Sequence, residues 1–224
     1  MSEYSGWEFE SLSKASNYYT WIVSHFRSFF PKHGFFKGLD YGGGCGNFAP
    51  YVRSHCDKLT LYEPDAILRD GATGYDEKLE VLSDDQLSAF DAVFAINVLE
   101  HIVDDYSALE ALRDKMSFDG LLFAFVPNDP QIFGSLDEEF GHCRRYSKKT
   151  IKDTLTDAGF RVIVCRRFNG LGWFTWGLMG RVLKVRRWSM SSVQAFDKLV
   201  PILARLERVE PLLAQSLVVV ARKH

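Results

Sequence analysis

The chain is expected to fold as one α/β domain, a mostly parallel sheet covered on both faces by helices, and three observations predict it. From Phe35 onward, short β-type runs alternate with stretches of helical apolar spacing. The length of 224 residues suffices for one buried core and falls short of two ordinary domains. The composition, 46% hydrophobic and 25% charged, is that of an ordinary globular protein.

Seven strands are legible. The first, Phe36 to Asp40, ends in a glycine-rich turn that opens a helix near Asn47. The second, Lys58 to Glu63, is stopped by Pro64. A short third strand covers Leu79 to Leu82, and the fourth runs from Ala92 to Asn97. Asp104 and Asp105 then cap a helix with Leu109, Leu112 and Met116 on its apolar face. Strand five, Leu121 to Val126, ends at Pro127, and the next helix is capped by Ser147 and closed by Gly159. Strand six is Arg161 to Phe168, and the valine-rich run Ser216 to Ala221 is the seventh.

Around this core, residues 35–168 with 215–224, two helical additions are expected: a cap over residues 1–34 and a lid inserted at 169–214. In the insert, Asn169 to Trp188 is aromatic and then basic. Val193 to Val209 has helical spacing interrupted by Pro201.

The net charge of -2 gives no general attraction to nucleic acid. The four cysteines (Cys45, Cys56, Cys143, Cys165) form no C-x-x-C pair and no zinc-ligand spacing. Neither a disulfide framework nor a metal is therefore expected, and a reducing, cytoplasmic setting fits. Met1 to Glu10 is polar and acidic, unlike a signal peptide, and no apolar run approaches the roughly 20 residues of a membrane span.

The sharpest local signal is Asp40-Tyr41-Gly42-Gly43-Gly44-Cys45-Gly46-Asn47, a strand ending in a glycine loop that runs into a helix. Glycine admits positive φ and close backbone approach to a ligand, while a helix N-terminus offers unpaired N–H groups to an anion. The loop alone is ambiguous. Gly44-x-Gly46-x-x-Ala49 also satisfies the dinucleotide pattern G-x-G-x-x-A, with Glu63 at the right distance to accept from a ribose, so a nicotinamide-dependent oxidoreductase stays open. So does a protein that binds the cofactor without catalysis.

Three features together favour another family: the pattern D-x-G-x-G-x-G from Asp40, the run Leu61-Tyr62-Glu63-Pro64-Asp65, and a fourth strand leading into Asn97-Val98-Leu99-Glu100-His101. Their order and spacing resemble the class I S-adenosylmethionine-dependent methyltransferases over roughly Phe35 to Phe168. The resemblance implies a Rossmann-like sheet with an antiparallel last strand and S-adenosyl-L-methionine as cofactor. It implies that Gly42, Gly44 and Gly46 line the methionine part, that Asp40 orients its ammonium group, and that Glu63 takes both ribose hydroxyls. Asp84 or Asp85 would meet the adenine amine, and Asn97 and Glu100 would border the sulfonium.

An alcohol acceptor must lose its proton as it attacks, and His101 and His142 are candidate bases. His142 lies in Gly141-His142-Cys143-Arg144-Arg145-Tyr146-Ser147, after strand five, on the sheet edge where α/β ligands bind. Arg144 and Arg145 suit a phosphate or carboxylate of the acceptor, and Tyr146 could donate to it or stack on it. The alternative is that these arginines pair with Asp137, Glu138 and Glu139 to fasten the loop.

The segment Ala15-Ser16-Asn17-Tyr18-Tyr19-Thr20-Trp21-Ile22, the G-H-x-R-R-Y-S loop and Phe196-Asp197-Lys198-Leu199-Val200-Pro201 are similar to a bacterial branch associated with surface-polysaccharide glycosyltransferases. That likeness implies a small-molecule or glycan-like acceptor, O-methylation ahead of N-methylation, and Tyr19 as an acceptor-binding residue. The aromatic and basic stretch of 170–188 is expected either to cover the active site as a lid or to touch a membrane interface.

Overall fold

The computed structural model describes residues 13–75, 79–187, 189–207 and 209–224. The first twelve residues, including the polar run Met1 to Glu10, and Trp188 lie outside the described residues.

Helix α1 (Ser16–Phe26) precedes the sheet and buries Tyr19, Trp21, Ile22, Val23 and Phe26. The sheet has seven strands: β1 (Phe35–Tyr41), β2 (Cys56–Tyr62), β3 (Glu80–Leu82), β4 (Phe90–Ile96), β5 (Met116–Pro127), β6 (Phe160–Phe168) and β7 (Ser216–Lys223). Their spatial order is β3-β2-β1-β4-β5-β7-β6. Pairings among β1 to β5 are parallel, and β7 runs antiparallel to both β5 and β6. The expected α/β architecture with an antiparallel last strand is therefore present.

Short α2 (Ala49–Val52) and α3 (Ala66–Tyr75) follow β1 and β2, α4 (Asp105–Asp114) follows β4, and α5 (Ser135–Glu139) and α6 (Lys148–Asp157) follow β5. Of the expected caps, Asp104, Ser147 and Gly159 are in place, while Asp105 is the first residue of α4. Asp104 accepts from the Ser107 N–H, Ser147 accepts from the Thr150 N–H, and Gly159 takes the positive φ that ends α6.

Alternating strand residues feed two cores, one on each face. Phe94, Phe123, Phe125, Val218 and Val220 meet α1 and Phe168 on one side. Val93, Ala95, Leu122, Ala124 and Val219 meet Leu109, Leu112, Ile151 and Leu155 on the other. Met116 corrects the sequence reading: α4 stops at Asp114, and Met116 begins β5 instead of extending the helical stripe. A register irregularity between Phe90 and Ala92 and the left-handed Asp119 mark a bulge through which the strand extends back to Met116, and apolar spacing does not encode it.

The insert consists of α7 (Gly170–Trp176), a π-helical continuation over Gly177–Val182 and α8 (Met190–Leu206). The interruption expected at Pro201 does not occur; α8 runs through it. Among the described residues no helix is long and apolar enough to cross a membrane.

Candidate active site

In strand order, β1 carries β2 on one side and β4 on the other, so the connections leaving β1 and β4 diverge and open a crevice at their carboxyl ends. The glycine loop forms one wall. Gly42, Gly44 and Gly46 have φ of 67°, 55° and 80°, values that L side chains rarely adopt. The Gly42 N–H donates to the Tyr62 carbonyl at 2.7 Å, binding the loop to the end of β2. A Cβ on Gly42 would lie 2.7 Å from Val98 Cγ1, and one on Gly43 2.7 Å from Asp40 Oδ2. The loop is thus pressed against the start of the β4 connection and against the Asp40 carboxylate.

Asp40 is 1% exposed, and its Oδ2 has no hydrogen-bond partner among the described residues. Burial, with the neighbouring Glu63 charge adding to it, pushes the carboxyl up to about 7. Such a group calls for a cation or donor from outside the chain, which is what an amino-acid ammonium supplies.

Glu63 is also buried; its Oε2 accepts from the Gly44 N–H at 2.8 Å and its Oε1 from the Asp65 N–H at 3.0 Å. Its pKa is nonetheless raised, because burial outweighs those two donors. Each carboxylate oxygen retains a further lone pair for a diol. Beside it, Tyr41 and Tyr62 stack with centroids 5.3 Å apart, and the Asp84 charge acts on both phenols, placing Asp84 at that edge. The glycine loop therefore has a cation-seeking carboxylate, Asp40, against Gly43 and a diol-matching carboxylate, Glu63, bonded to Gly44. These residues fit S-adenosylmethionine.

Asn97, at the end of β4, holds a left-handed backbone with φ 54°, and its N–H donates to the Phe125 carbonyl at 2.8 Å. The next turn carries Glu100, which is fully buried and whose carboxylate oxygens receive no hydrogen bond from another residue among those described. Burial pushes Glu100 up to about 8 against the opposing pull of Arg145. His101 and His142 meet edge to face, centroids 4.9 Å apart. Burial is the main cause holding His101 down at about 4, with His142 adding to it and a hydrogen bond to the Gly141 backbone opposing.

His142 Nδ1 lies 2.8 Å from Asp137 Oδ1, and Nε2 lies 4.0 Å from Glu100 Oε1. Burial depresses the His142 pKa more than Asp137 raises it. The two loops are joined directly, since the Cys143 N–H donates to the Glu100 carbonyl at 2.7 Å.

Asp137, on α5, is the residue the sequence reading undervalued. It accepts from His142, from Arg145 Nε at 2.7 Å, from Trp176 Nε1 at 2.9 Å and from the Gly134 N–H at 3.0 Å. Burial pushes its pKa upward, but the His142 and Arg145 contacts hold it below the usual carboxylate range. Trp176 comes from the insert, so the insert is tied to the histidine loop at this point. A carboxylate five residues before the histidine, on a one-turn helix, was the available signal.

Three expected roles are corrected by geometry. Arg145 has a fully buried side chain, paired with Asp137 and donating to the Asn128 carbonyl at 2.8 Å. Arg144 pairs with Asp105 at 2.8 Å and reaches the Ile102 and Val103 carbonyls. Tyr146 is 2% exposed, and its hydroxyl donates to Asp105 Oδ2 at 2.6 Å, beside the Leu99 carbonyl. All three fasten the β5 loop to its neighbours, and for Arg145 the pairing is required, because a charge that deep is tolerated only when paired. Tyr19 is buried and packs against Phe48 and Tyr51, just after the glycine loop.

Comparison with known proteins agrees with this architecture. Solved structures of the same fold include an S-adenosylmethionine-dependent methyltransferase from Archaeoglobus fulgidus (17% identity, TM-score 0.59, 90% of this chain and 91% of that one). Another is from Mesorhizobium loti (14%, 0.58, 88% and 95%). A third is the N-methyltransferase NodS of Bradyrhizobium japonicum WM9 in complex with S-adenosyl-L-homocysteine (14%, 0.54, 85% and 79%). No curated protein matches the chain. A family model described as a methyltransferase domain matches residues 15–164, which span the glycine loop, Glu63 and the whole histidine cluster. The chain belongs to this methyltransferase family and is an enzyme whose cofactor is S-adenosylmethionine.

Proposed function

We propose that the enzyme methylates an oxygen of a small, hydroxyl-rich acceptor of the glycan type. The observation that carries this reading is the polar cluster of Glu100, His101 and His142, built onto the loops after β4 and β5 at the end of the cofactor crevice. A nitrogen nucleophile with an available lone pair needs no such group, whereas an alcohol must shed its proton as the new bond forms.

The cofactor supplies an electrophilic methyl on a sulfonium. In this reading the chain's residues bind and orient: Asp40 takes the ammonium, Gly42, Gly44 and Gly46 line the methionine backbone, Glu63 holds the ribose diol, and Asp84 borders the adenine. Asn97 faces the sulfonium end. Positioning in a crevice largely closed to water supplies much of the rate of an in-line displacement. The acceptor oxygen lies against the Glu100, His101 and His142 cluster, where a neutral imidazole, His142 or His101, takes the proton that the hydroxyl sheds.

The insert supports a lipid-linked form of that acceptor. Leu171, Phe174, Leu178 and Val182 are exposed at helical spacing along one face, and the exposed Arg181, Lys184, Arg186 and Arg187 follow. Apolar side chains with cations behind them suit an anionic bilayer surface.

Mass spectrometry of native glycans and lipid-linked precursors incubated with the enzyme and cofactor tests the proposal. The expected product carries one added methyl on oxygen. A methylated amine as the sole product would overturn it. Flotation with phosphatidylglycerol vesicles, compared with phosphatidylcholine vesicles, tests the membrane arm.

A further inference from the structure

The Glu100, His101 and His142 cluster has a feature that proton handling alone does not explain. One ligand-type atom from each residue lies within 4.8 Å of the others. Glu100 is fully buried, yet among the described residues no other residue gives either of its oxygens a hydrogen bond. A buried carboxylate without donors is costly unless a cation completes it. Arg145 acts on Glu100 through its charge but makes no hydrogen bond to it: its Nε and Nη1 go to Asp137 and the Asn128 carbonyl, and its Nη2 has no partner among the described residues. Burial holds Glu100 in its protonated form near neutral pH, and a cation at the cluster would draw the proton off and pair with the carboxylate beside two imidazoles.

Both imidazoles are arranged as metal ligands usually are. His142 commits Nδ1 to the Asp137 carboxylate, which leaves the Nε2 lone pair toward Glu100. His101 has a hydrogen bond to the Gly141 backbone, which opposes the downward shift of its pKa. A ligating histidine characteristically gives its other ring N–H to a carboxylate or backbone carbonyl, which fixes tautomer and orientation. Ligand atoms about 2.1 Å from a shared ion sit roughly 3 to 3.4 Å apart. The 4.0 Å between His142 Nε2 and Glu100 Oε1 closes to that with a small side-chain movement.

We propose that Glu100, His101 and His142 hold a divalent transition-metal cation, with open coordination positions for the acceptor's hydroxyl. Two histidines and one carboxylate form a recognised open-faced donor set for such ions. The inference rests on the reading that this cluster meets the acceptor oxygen. With the ion in place, the bound hydroxyl gives its proton to solvent because the cation stabilises the alkoxide. The oxygen–carbon bond then forms as the carbon–sulfur bond breaks, and the neutral thioether leaves. Spacing in the sequence did not reveal the site, since its donors come from two distant loops that the Cys143 to Glu100 backbone bond brings together.

The test is titration of Co2+ and Zn2+ into chelator-treated, full-length protein, followed by calorimetry and, for Co2+, by visible absorption. One equivalent is expected, with Glu100→Gln, His101→Ala and His142→Ala each lowering affinity at least a hundredfold. Asp137→Asn is expected to lower it about 10- to 100-fold through the orientation of His142. Retained S-adenosylhomocysteine binding and a cooperative melt in each variant establish that it is folded. Failure of the wild type to bind stoichiometrically, or binding that survives all three variants as an adventitious ion only, overturns the proposal.

Methyl-transfer assays separate the two readings. Loss of turnover in His142→Ala without any metal binding leaves the acceptor reading standing and removes the ion. Stoichiometric metal with turnover unchanged in all three variants does the opposite.

Discussion

The Asn17 side-chain amide donates to the Asp197 backbone carbonyl at 3.2 Å, the very group that Pro201, four residues on in α8, leaves without its helical donor. The same amide also reaches Asp197 Oδ2 at 3.0 Å, and that carboxylate accepts from the backbone N–H groups of Asn17 and Tyr18 at the start of α1. A helix that precedes the sheet and a helix inserted near its end therefore complete each other's unsatisfied backbone groups.

Asn17→Ala is accordingly expected to destabilise the protein by about 1 to 3 kcal/mol, the cost of stranding buried acceptors. In a Pro201→Ala background the loss should shrink, because an alanine in place of the proline restores a helical N–H to the Asp197 carbonyl. A double-mutant cycle by urea unfolding measures this. Equal losses in both backgrounds would show that the proline and the asparagine are unconnected.

Glu63 is expected to act on the cofactor and on the loop at once, because its oxygens hold the Gly44 and Asp65 N–H groups while facing the crevice. Glu63→Ala should weaken S-adenosylhomocysteine binding by about 1.5 to 3 kcal/mol and lower the melting temperature of the cofactor-free protein. Calorimetry and a thermal melt report the two effects separately. Unaltered affinity would remove the ribose role and leave Glu63 as a loop fastener.

Asp40 predicts a pH dependence. Its folded-state pKa of about 7 stands above the ordinary carboxylate value, so the cofactor-free fold binds this proton more tightly than the unfolded chain does. Its contribution to stability is therefore fully present below about pH 4 and is lost as pH rises through about 7. Cofactor affinity runs the other way: an ammonium pairs with the ionised carboxylate, so affinity should climb between about pH 6 and 8. Asp40→Asn should flatten both trends. A wild-type affinity that falls over that interval would contradict the pairing.

The fold was readable because strand and helix periods differ and the punctuating residues are local: Gly42 to Gly46, Pro64, Pro127, Ser147 and Gly159 stand at or beside the turns they announce. The residues proposed to hold the cofactor are local in the same way, since Asp40, the glycine loop and Glu63 follow two strand ends. The acceptor half was only partly so. That Arg144, Arg145 and Tyr146 would turn away into Asp105, Asp137 and the Leu99 carbonyl depends on which loops meet in space. Pro201 misled because its remedy lies far upstream, in Asn17.

Tyr146 offers the cleanest separation of a fastening role from a chemical one. Its phenol pKa is raised, chiefly by burial and then by the Asp105 hydrogen bond, so it is a poor base at neutral pH. Tyr146→Phe keeps the ring in the core and removes one hydroxyl, and should lower stability by about 1 to 2 kcal/mol while turnover stays within about twofold. Asp137→Ala should be far harsher, about 3 to 5 kcal/mol, because it strands the Arg145 guanidinium in the interior and releases His142 and Trp176 together. Urea unfolding and steady-state turnover on the two variants decide the matter. If Tyr146→Phe loses turnover by orders of magnitude with its stability intact, the hydroxyl reaches the acceptor after all, and the β5 loop must open during the reaction for it to do so.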